Sequence, residues 1–226
     1  MRTFFYLKRN FISTFVAIFC SLLCMLGMCG CSKSVDYFSY VSELRSNILV
    51  AKSTEYYLRI YATNKESPYS ADGIPREKFD RTEIYLSAPN GDGACVISFT
   101  VNDKTYSGEM SYDNARGEYY FYCALDSSNC DSISCKIICN QDEFVMNAHS
   151  VLDGSELSAK ELLKQVKAEN GELFTSMTDK YGFIGEIYMR LIYEDAPYYY
   201  VGIIDRDGNI HAFLLNAKTG KILAKR

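Results

Sequence analysis

An alternation of apolar and polar residues with a period of two runs from about residue 40 to residue 151, and it restricts the fold more than any other feature. In segments 55–62 and 94–101, apolar side chains occupy every second position. Because successive side chains of a strand point to opposite faces, this pattern predicts strands with one buried face. Turn-forming residues such as Asn102-Asp103 separate the segments. The predicted strands lie near 44–51, 55–62, 82–87, 94–101, 104–112, 117–125, 132–140 and 142–151.

Short strands separated by turns at this spacing predict an antiparallel β-sandwich domain over residues 40–153. The first segment also suits a helix, because apolar residues recur there at helical spacing: Phe38, Val41, Leu44 and Ile48. The connection between residues 64 and 81 is long and contains Pro68 and Pro75. We expect this connection to cover a sheet edge, and a functional loop is the alternative.

The pattern changes near residue 152, where helical features replace the alternation. Ser158 and Glu161 have the spacing of a capping box, and Gly171 suits a helix end, so we predict a helix over 159–170. A second, short helical segment is predicted near 172–180. Strands are predicted again at 184–193, 198–205, 209–216 and 221–225.

The last third of the chain carries a recognisable series of strands and turns. A strand at Tyr199–Asp205 is followed by the Asp207-Gly208 turn, a second strand from Ala212, and an ending that reads Asn216-Ala217-Lys218-Thr219-Gly220-Lys221-Ile222. With the preceding helix, this series resembles a PepSY domain. The resemblance implies a small α+β binding module at 154–226 and no catalytic residue. The change of pattern itself places a domain boundary near 152–157.

The N-terminus has the parts of a bacterial export signal. Three basic residues precede an uncharged stretch of 18 residues, Phe11–Met28. The stretch leads into Gly30-Cys31, a small residue before a cysteine, which resembles the lipobox of bacterial lipoproteins. The resemblance implies a lipoprotein signal peptide at 1–30, a diacylglyceryl group on the Cys31 thiol, acyl chains of the palmitate type, and a tether at 31–39.

Other interpretations of this N-terminus stay open. Cys24 and Cys29 are weaker acceptors because neither follows a small residue, and the segment also suits an uncleaved membrane anchor or a plainly secreted form. The two leading interpretations place the rest of the chain outside the membrane, because the positive flank stays cytoplasmic. We therefore expect a protein on the extracellular face of the cell membrane of a Gram-positive bacterium, with the membrane as a partner through its lipid anchor.

Charge and residue usage argue against several functional classes. The formal net charge is −4, and it becomes −7 when residues 1–30 are removed, because 21 basic and 28 acidic residues remain. Without a cluster of Lys and Arg in the sequence, nucleic acid is not an expected partner. Only two histidines, His149 and His211, are available for general-base or metal chemistry. We therefore predict a protein without a cofactor, a metal site or catalytic residues.

Two polar motifs have simple structural explanations. Asp205-x-Asp207-x-Asn209 repeats the start of an EF-hand loop, but the glycine and glutamate that such a loop needs later are missing, so we expect a hairpin turn. His149-Ser150-x-x-Asp153 contains the residue types of a catalytic triad. A triad is a spatial arrangement, however, and these residues are sequence neighbours at the end of one strand, so a nucleophilic site is not expected.

The cysteines and tyrosines also invite functional interpretations. Cys130, Cys135 and Cys139 lack the paired spacing and fourth ligand of a zinc site. Cys135 and Cys139 share an apparent apolar face, so we expect core thiols, with disulfides as an alternative. Cys95 and Cys123 complete a set of five after Cys31, and an odd number leaves at least one unpaired. Tyrosines are dense at 119–122 and 198–200, which suits strands; a glycan-binding face is the alternative.

Together these features predict a membrane-anchored extracellular lipoprotein with a non-catalytic binding or regulatory role in the bacterial envelope. The expected partner is an unidentified envelope protein, for which a protease is one candidate. One alternative is a surface lipoprotein that captures a solute or a glycan. A further alternative is an envelope hydrolase whose carboxylate pair cannot be recognised by spacing alone.

Overall fold

The computed structural model describes residues 35–67, 74–89, 91, 93–139 and 142–226. The predicted signal peptide, Cys31 and Pro68 lie outside these residues. The chain from Asp36 to Arg226 forms one unit by its internal contacts. Within the described ranges, neither α-helix is long and apolar enough to cross a membrane.

The first eight strands form a closed antiparallel barrel. Going around it, the order is β1-β2-β3-β6-β5-β4-β7-β8, and β8 pairs back to β1. All of these neighbours are antiparallel. The strands are β1 (Val41–Lys52), β2 (Tyr57–Glu66), β3 (Lys78–Ser87), β4 (Cys95–Val101), β5 (Lys104–Asp113), β6 (Glu118–Cys123), β7 (Ser132–Cys139) and β8 (Asp142–Ser150).

Closure of the barrel corrects the predicted β-sandwich. The alternation requires one buried face per strand, which a barrel and a sandwich both provide, so the pattern does not distinguish them. Closure depends on β1, whose register shifts between Arg45 and Asn47 before Leu49 and Val50 pair with β8. The helical alternative for this first segment is wrong, because only Tyr37–Tyr40 forms a short 3-10 helix before the strand begins.

Side chains fill the interior of the barrel, and tight turns join its strands. Between β4 and β5, Asn102 and Asp103 have φ values of 52° and 60°, the left-handed conformation of a two-residue hairpin turn. The buried residues of the barrel core are Leu49, Leu58, Ile60, Ile84, Leu86, Cys95, Ile97, Phe99, Val101, Met110, Tyr119, Leu125, Ile133, Cys135, Ile137, Cys139, Met146 and Ala148.

The C-terminal part contains two helices and a strand meander, and it confirms the predicted helix at 159–170. Ser158 and Glu161 form the predicted capping box at the start of that helix. The second helix is shorter than predicted, because a small hairpin replaces its C-terminal half. The elements are α1 (Ala159–Glu169), α2 (Gly171–Ser176), β9 (Thr178–Asp179), β10 (Gly182–Phe183), β11 (Glu186–Tyr193), β12 (Pro197–Ile204), β13 (Ile210–Asn216) and β14 (Ile222–Lys225).

The meander extends the barrel sheet through a single parallel pairing. The segment Val41–Arg45 of β1 pairs with Ile187–Arg190 of β11, and β12, β13 and β14 follow in antiparallel order. β1 thus forks: on one edge it pairs first with β11 and then with β8. The sheet therefore continues across the predicted boundary near 152–157, while independent folding of its two parts stays a prediction.

Candidate functional site

Tyrosine rings form a row on the outward face of the barrel. Their strand neighbours point into the core, so Tyr61 on β2, Tyr85 on β3, and Tyr120 and Tyr122 on β6 point outwards. The ring centroids are 5.5 Å apart from Tyr61 to Tyr85, and 4.9 Å apart from Tyr85 to Tyr120. Tyr122 lies 5.8 Å from Tyr120. These four residues are termed the tyrosine row.

Arginine side chains lie over rings of this row and over the neighbouring Tyr57 on β2. A guanidinium within about 6 Å of an aromatic centroid is attracted by the ring's electron density, so each pair holds both side chains in place. The row is therefore an ordered surface of rings and cations. The distances from guanidinium carbon to ring centroid are 4.2 Å for Arg45 and Tyr61, 5.4 Å for Arg59 and Tyr57, 5.2 Å for Arg116 and Tyr85, and 4.6 Å for Arg81 and Tyr122.

The charge of Arg45 distinguishes it from the other arginines of this face. It pairs with none of the described carboxylates, and its Nε is buried without a hydrogen-bond partner. No described carboxylate lies within ion-pair distance of the half-buried Arg45, although its charge contributes to lowering the pKa of Glu43. The other three have acidic partners on the same face: Glu118 for Arg59, Glu83 at 3.8 Å for Arg81, and Asp113 at 3.5 Å for Arg116.

The same face continues across β1 onto β11 and β12. Arg190 donates hydrogen bonds from Nε and Nη2 to the Glu43 carboxylate, at 2.8 and 2.7 Å. Burial by itself would raise the pKa of Glu43, but the hydrogen bonds and charge of Arg190 outweigh it and lower that pKa. The Tyr188 ring lies over Gly202, where an added Cβ would approach a ring carbon to 2.1 Å. Glycine at this position therefore lets the ring lie against the sheet.

A cleft opens on this face where β11 separates from β1. Their pairing ends at Arg45 and Arg190, and beyond this point β1 turns to β8. The cleft has a volume of about 320 Å³. Its lining combines apolar side chains, rings and charges: Ile48, Val50 and Ile192, Tyr57, Tyr61 and Tyr193, and Arg45, Arg59 and Glu194. This set, termed the fork cleft, brings the Arg45 cation next to an apolar surface.

A chain of polar contacts holds the Tyr61 ring under Arg45. The Ser87 hydroxyl donates to Glu118 Oε1 at 2.5 Å, and the same carboxylate pairs with Arg59. Arg59 Nη1 in turn donates to the Tyr61 hydroxyl at 3.4 Å. Three strands thus fix the ring on which Arg45 lies, so the cation is positioned before any ligand arrives.

The triad residue types meet at one groove but do not form a triad. His149, Ser150 and Asp153 line a groove of about 530 Å³. The Ser150 hydroxyl donates to Asn47 Oδ1 at 2.8 Å, and Asp153 accepts from Lys218 Nζ at 2.5 Å. The hydroxyl and the carboxylate are therefore engaged by other partners, as expected for structural residues.

The predicted turn at residues 205–209 is confirmed. Asp205 Oδ1 accepts backbone hydrogen bonds from Asp207 at 2.9 Å and from Asn209 at 2.8 Å. Its carboxylate thereby closes the loop between β12 and β13. Across the described residues, no group of three or more His, Cys, Asp or Glu side chains is arranged to hold a metal ion.

The cysteines divide into one disulfide and three free thiols. Cys95 and Cys139, which are register partners on β4 and β7, form a disulfide inside the barrel. The core positions expected for Cys135 and Cys139 are confirmed, but Cys139 is disulfide-bonded and is not a free thiol. Burial raises the pKa of the Cys135 thiol to about 12. Cys123 and Cys130 are half-buried, and burial raises the pKa of both thiols. A raised pKa lowers the thiolate fraction, so these thiols are poor nucleophiles.

Two buried carboxylates meet at a small cavity beside the loop between β2 and β3. Glu66 and Glu186 both line this cavity, whose volume is about 10 Å³. Glu66 Oε1 accepts a hydrogen bond from the Arg76 backbone at 2.8 Å. The space suffices for about one water molecule, so it does not admit a sugar ring between the two carboxylates.

No family model matches this chain, and neither a curated protein nor a solved structure matches it. The candidate site is therefore defined by geometry. Sequence reasoning identified the dense tyrosines at 119–122 but missed Arg45 and Arg59. A signal for Arg59 was present in Tyr57-x-Arg59-x-Tyr61, because a spacing of two places all three side chains on one face of a strand.

Proposed function

We propose that this protein is a lipid-anchored extracellular binding protein of the bacterial envelope, and that it holds a partner protein on its tyrosine and arginine face without catalysing a reaction. The observation that carries the proposal is the Arg45 cation, which has no carboxylate at ion-pair distance, beside an ordered row of tyrosine rings. Tyrosine and arginine are enriched at the energetically important positions of protein interfaces. Rings and guanidinium groups that are already held in place lose little conformational entropy on binding.

Two further features support the location and the class of this protein. The Cys95–Cys139 disulfide suits an oxidising compartment outside the cytoplasm, which agrees with an export signal and Cys31 lipidation. The order of one helix followed by an antiparallel meander suits the PepSY-like assignment of residues 154–226, and thus a binding role. A protease of the envelope remains the candidate partner that this resemblance suggests.

Site-specific photo-crosslinking on living cells tests the proposal. A photoreactive phenylalanine replaces Tyr122, whose exposure is 55%, at the end of the tyrosine row. The matched control carries it at Val145 on β8, outside this face, where exposure is 61%. We expect a discrete cross-linked protein from position 122 and none from position 145. Equal cross-linking at both positions, or none at either, contradicts the proposal.

Glycan capture is the second candidate, and the open face of Tyr122 favours it. This ring stacks on Tyr120 at 5.8 Å and exposes more than half of its surface, which suits stacking against a sugar ring. Binding of soluble peptidoglycan fragments, followed by the intrinsic tyrosine fluorescence, separates the two candidates. Saturable quenching that the variant Tyr122→Ser abolishes favours the glycan.

A further inference from the structure

We propose that the fork cleft binds the free C-terminal carboxylate of an extended peptide whose last side chain is apolar. The inference rests on the proposed function, because it names the part of a protein partner that the cleft recognises. Three properties of the cleft carry it: a cation without a carboxylate at ion-pair distance, an apolar surface beside that cation, and a strand edge that leaves the sheet.

The cation selects a monoanion. Arg45 forms no ion pair with a described carboxylate and acts on Glu43 only through its field, whereas Glu118 contacts Arg59 directly. The planar guanidinium fork matches the two oxygens of a carboxylate. Glu194 also lines the cleft and opposes every negative charge of a ligand, so this repulsion is larger for a doubly charged group than for a monoanion. The cleft is therefore better matched to one carboxylate than to a doubly charged phosphate.

The apolar surface selects the last side chain. Ile48, Val50 and Ile192 lie in the same cleft as Arg45, and its volume of about 320 Å³ falls in the range of small-ligand sites. A carboxylate held by Arg45 thus brings the adjacent side chain of a peptide against aliphatic groups. A leucine-sized residue buries apolar surface there, whereas a charged residue loses hydration without a partner.

The strand edge suits an extended peptide. β11 pairs with β1 only as far as Arg190, while its continuation Leu191–Tyr193 pairs with β12 alone. Ile192 and Tyr193 line the cleft, so this end of β11 borders the space that the ligand enters. An extended chain beside such an edge gains backbone hydrogen bonds by adding a short strand. The ligand is therefore the end of a polypeptide rather than a free organic acid.

Calorimetry with the full chain in detergent tests the inference. The probes are N-acetyl-Gly-Gly-Ala-Leu as the free acid, the same peptide as its C-terminal amide, and N-acetyl-leucine. We expect the acid to bind about 10- to 100-fold more tightly than the amide, the range for a hydrogen bond between charged groups. N-acetyl-leucine should bind more weakly than the peptide acid, because it makes few backbone hydrogen bonds.

Variants test whether Arg45 causes the preference for the peptide acid over the amide. Arg45→Ala should remove the preference for the acid over the amide, and Arg45→Lys should keep only part of it, because an ammonium group lacks the bidentate fork. The control Arg206→Ala removes one exposed arginine on the β12–β13 turn and should leave all affinities unchanged. Thermal melting of each variant verifies that it is folded, and the acid–amide comparison on the unaltered chain does not depend on any variant.

Each remaining outcome overturns the inference. Equal affinity for acid and amide, or no binding of either, shows that the cleft does not recognise a C-terminal carboxylate. N-acetyl-leucine binding as tightly as the peptide acid assigns the cleft to small organic acids. Cross-linking at Tyr122 separates the two proposals: if it persists while the peptides fail, only this inference is wrong, and if it fails while the peptide acid binds, the partner does not contact the tyrosine row and the proposed function is wrong in that part.

Discussion

Arg190 holds Glu43 with two hydrogen bonds, and this pair joins the barrel to the strand that extends it. Glu43 belongs to β1 and Arg190 to β11, the only parallel pair of strands in the described sheet. The Glu43 side chain is 12% exposed and that of Arg190 is 40% exposed. The pair therefore lies at the border between solvent and the sheet, where it can stabilise the fork without full desolvation of both charges.

The first prediction concerns the acid stability that this pair provides. Because the pKa of Glu43 is lowered in the folded state, its contribution is fully present above the ordinary glutamate range near 4.5 and is lost as the pH falls through the folded value. Glu43→Gln should reduce the free energy of unfolding at pH 7 by about 1–2 kcal/mol, after allowance for the exposure of Arg190. Urea unfolding between pH 3 and pH 7 measures the change.

The variant should also lose pH dependence, because glutamine does not titrate. The difference between the two proteins should shrink as the pH falls below about 4.5. Glu55→Gln, in the exposed turn between β1 and β2, is the matched control and should change stability by less than about 0.5 kcal/mol. A Glu43→Gln protein with unaltered stability at pH 7 would show that the pair contributes nothing.

The strands could be predicted from the sequence, but the way in which they close could not. Alternation reports which side chains are buried, and that is a local property, so each predicted strand is found within a few residues of its place. The β1–β8 contact joins Leu49 to Ser150, and the β1–β11 contact joins Val41 to Ile187. Such pairings depend on shape and register between distant segments, on which the period of a single strand carries no information.

The candidate site was only partly predictable for the same reason. Tyr120 and Tyr122 stand out in the sequence by their density, whereas Arg45 has no distinctive local context. Its importance arises because β2 places Tyr61 beneath it and because acidic partners occupy the other arginines. The lack of a contacting carboxylate is a property of the whole neighbourhood, and spacing along one strand does not reveal it.

The second prediction concerns the disulfide. Cys95 and Cys139 are 44 residues apart in the chain, so their bond restricts the unfolded state strongly. Replacing both with alanine should lower the free energy of unfolding by about 2–4 kcal/mol, and a reductant should have a similar effect on the unaltered protein. Cys130→Ser is the control and should respond to reductant like the unaltered protein.

Thiol counting tests the pairing directly. Alkylation of the unfolded, unreduced protein should label Cys123, Cys130 and Cys135, while Cys95 and Cys139 should become reactive only after reduction. Peptide mass spectrometry identifies the labelled residues. Labelling of Cys95 before reduction would contradict the assigned bond.

The third prediction is that Cys31 carries the lipid. Cys31→Ser should abolish processing and leave the signal segment attached, whereas Cys29→Ser should be processed normally. Detergent phase partitioning and the mass of the N-terminal peptide measure both effects. Two acyl chains give stable anchoring where one would be marginal, so the processed protein should remain in the detergent phase. If Cys31→Ser is still processed and partitions identically, the lipoprotein assignment is wrong.

The fourth prediction concerns the modularity of the chain. Residues 155–226 retain the buried face of α1, with Leu162 and Val166, but they lack the β1 segment Val41–Arg45 that pairs with β11. About 70 residues is near the lower limit for an independent core. We therefore expect the isolated fragment to fold cooperatively, as shown by circular dichroism, but with a lower melting temperature than the intact chain.

A fragment that also carries β1 tests the physical reason for the lower melting temperature of the isolated fragment. Residues 36–52 supply the parallel neighbour of β11, and they also return Tyr37, whose ring lies 4.9 Å from that of Phe174 and 5.3 Å from that of Phe183. Joining this segment to residues 155–226 through a flexible linker should raise the melting temperature, because it covers the exposed edge of β11 and completes the aromatic cluster. The control joins residues 104–120 instead, which are equal in number but lack the native pairing with β11. It should not raise the melting temperature. If both joined fragments stay unfolded while the intact chain melts in one transition, residues 36–226 form a single cooperative domain.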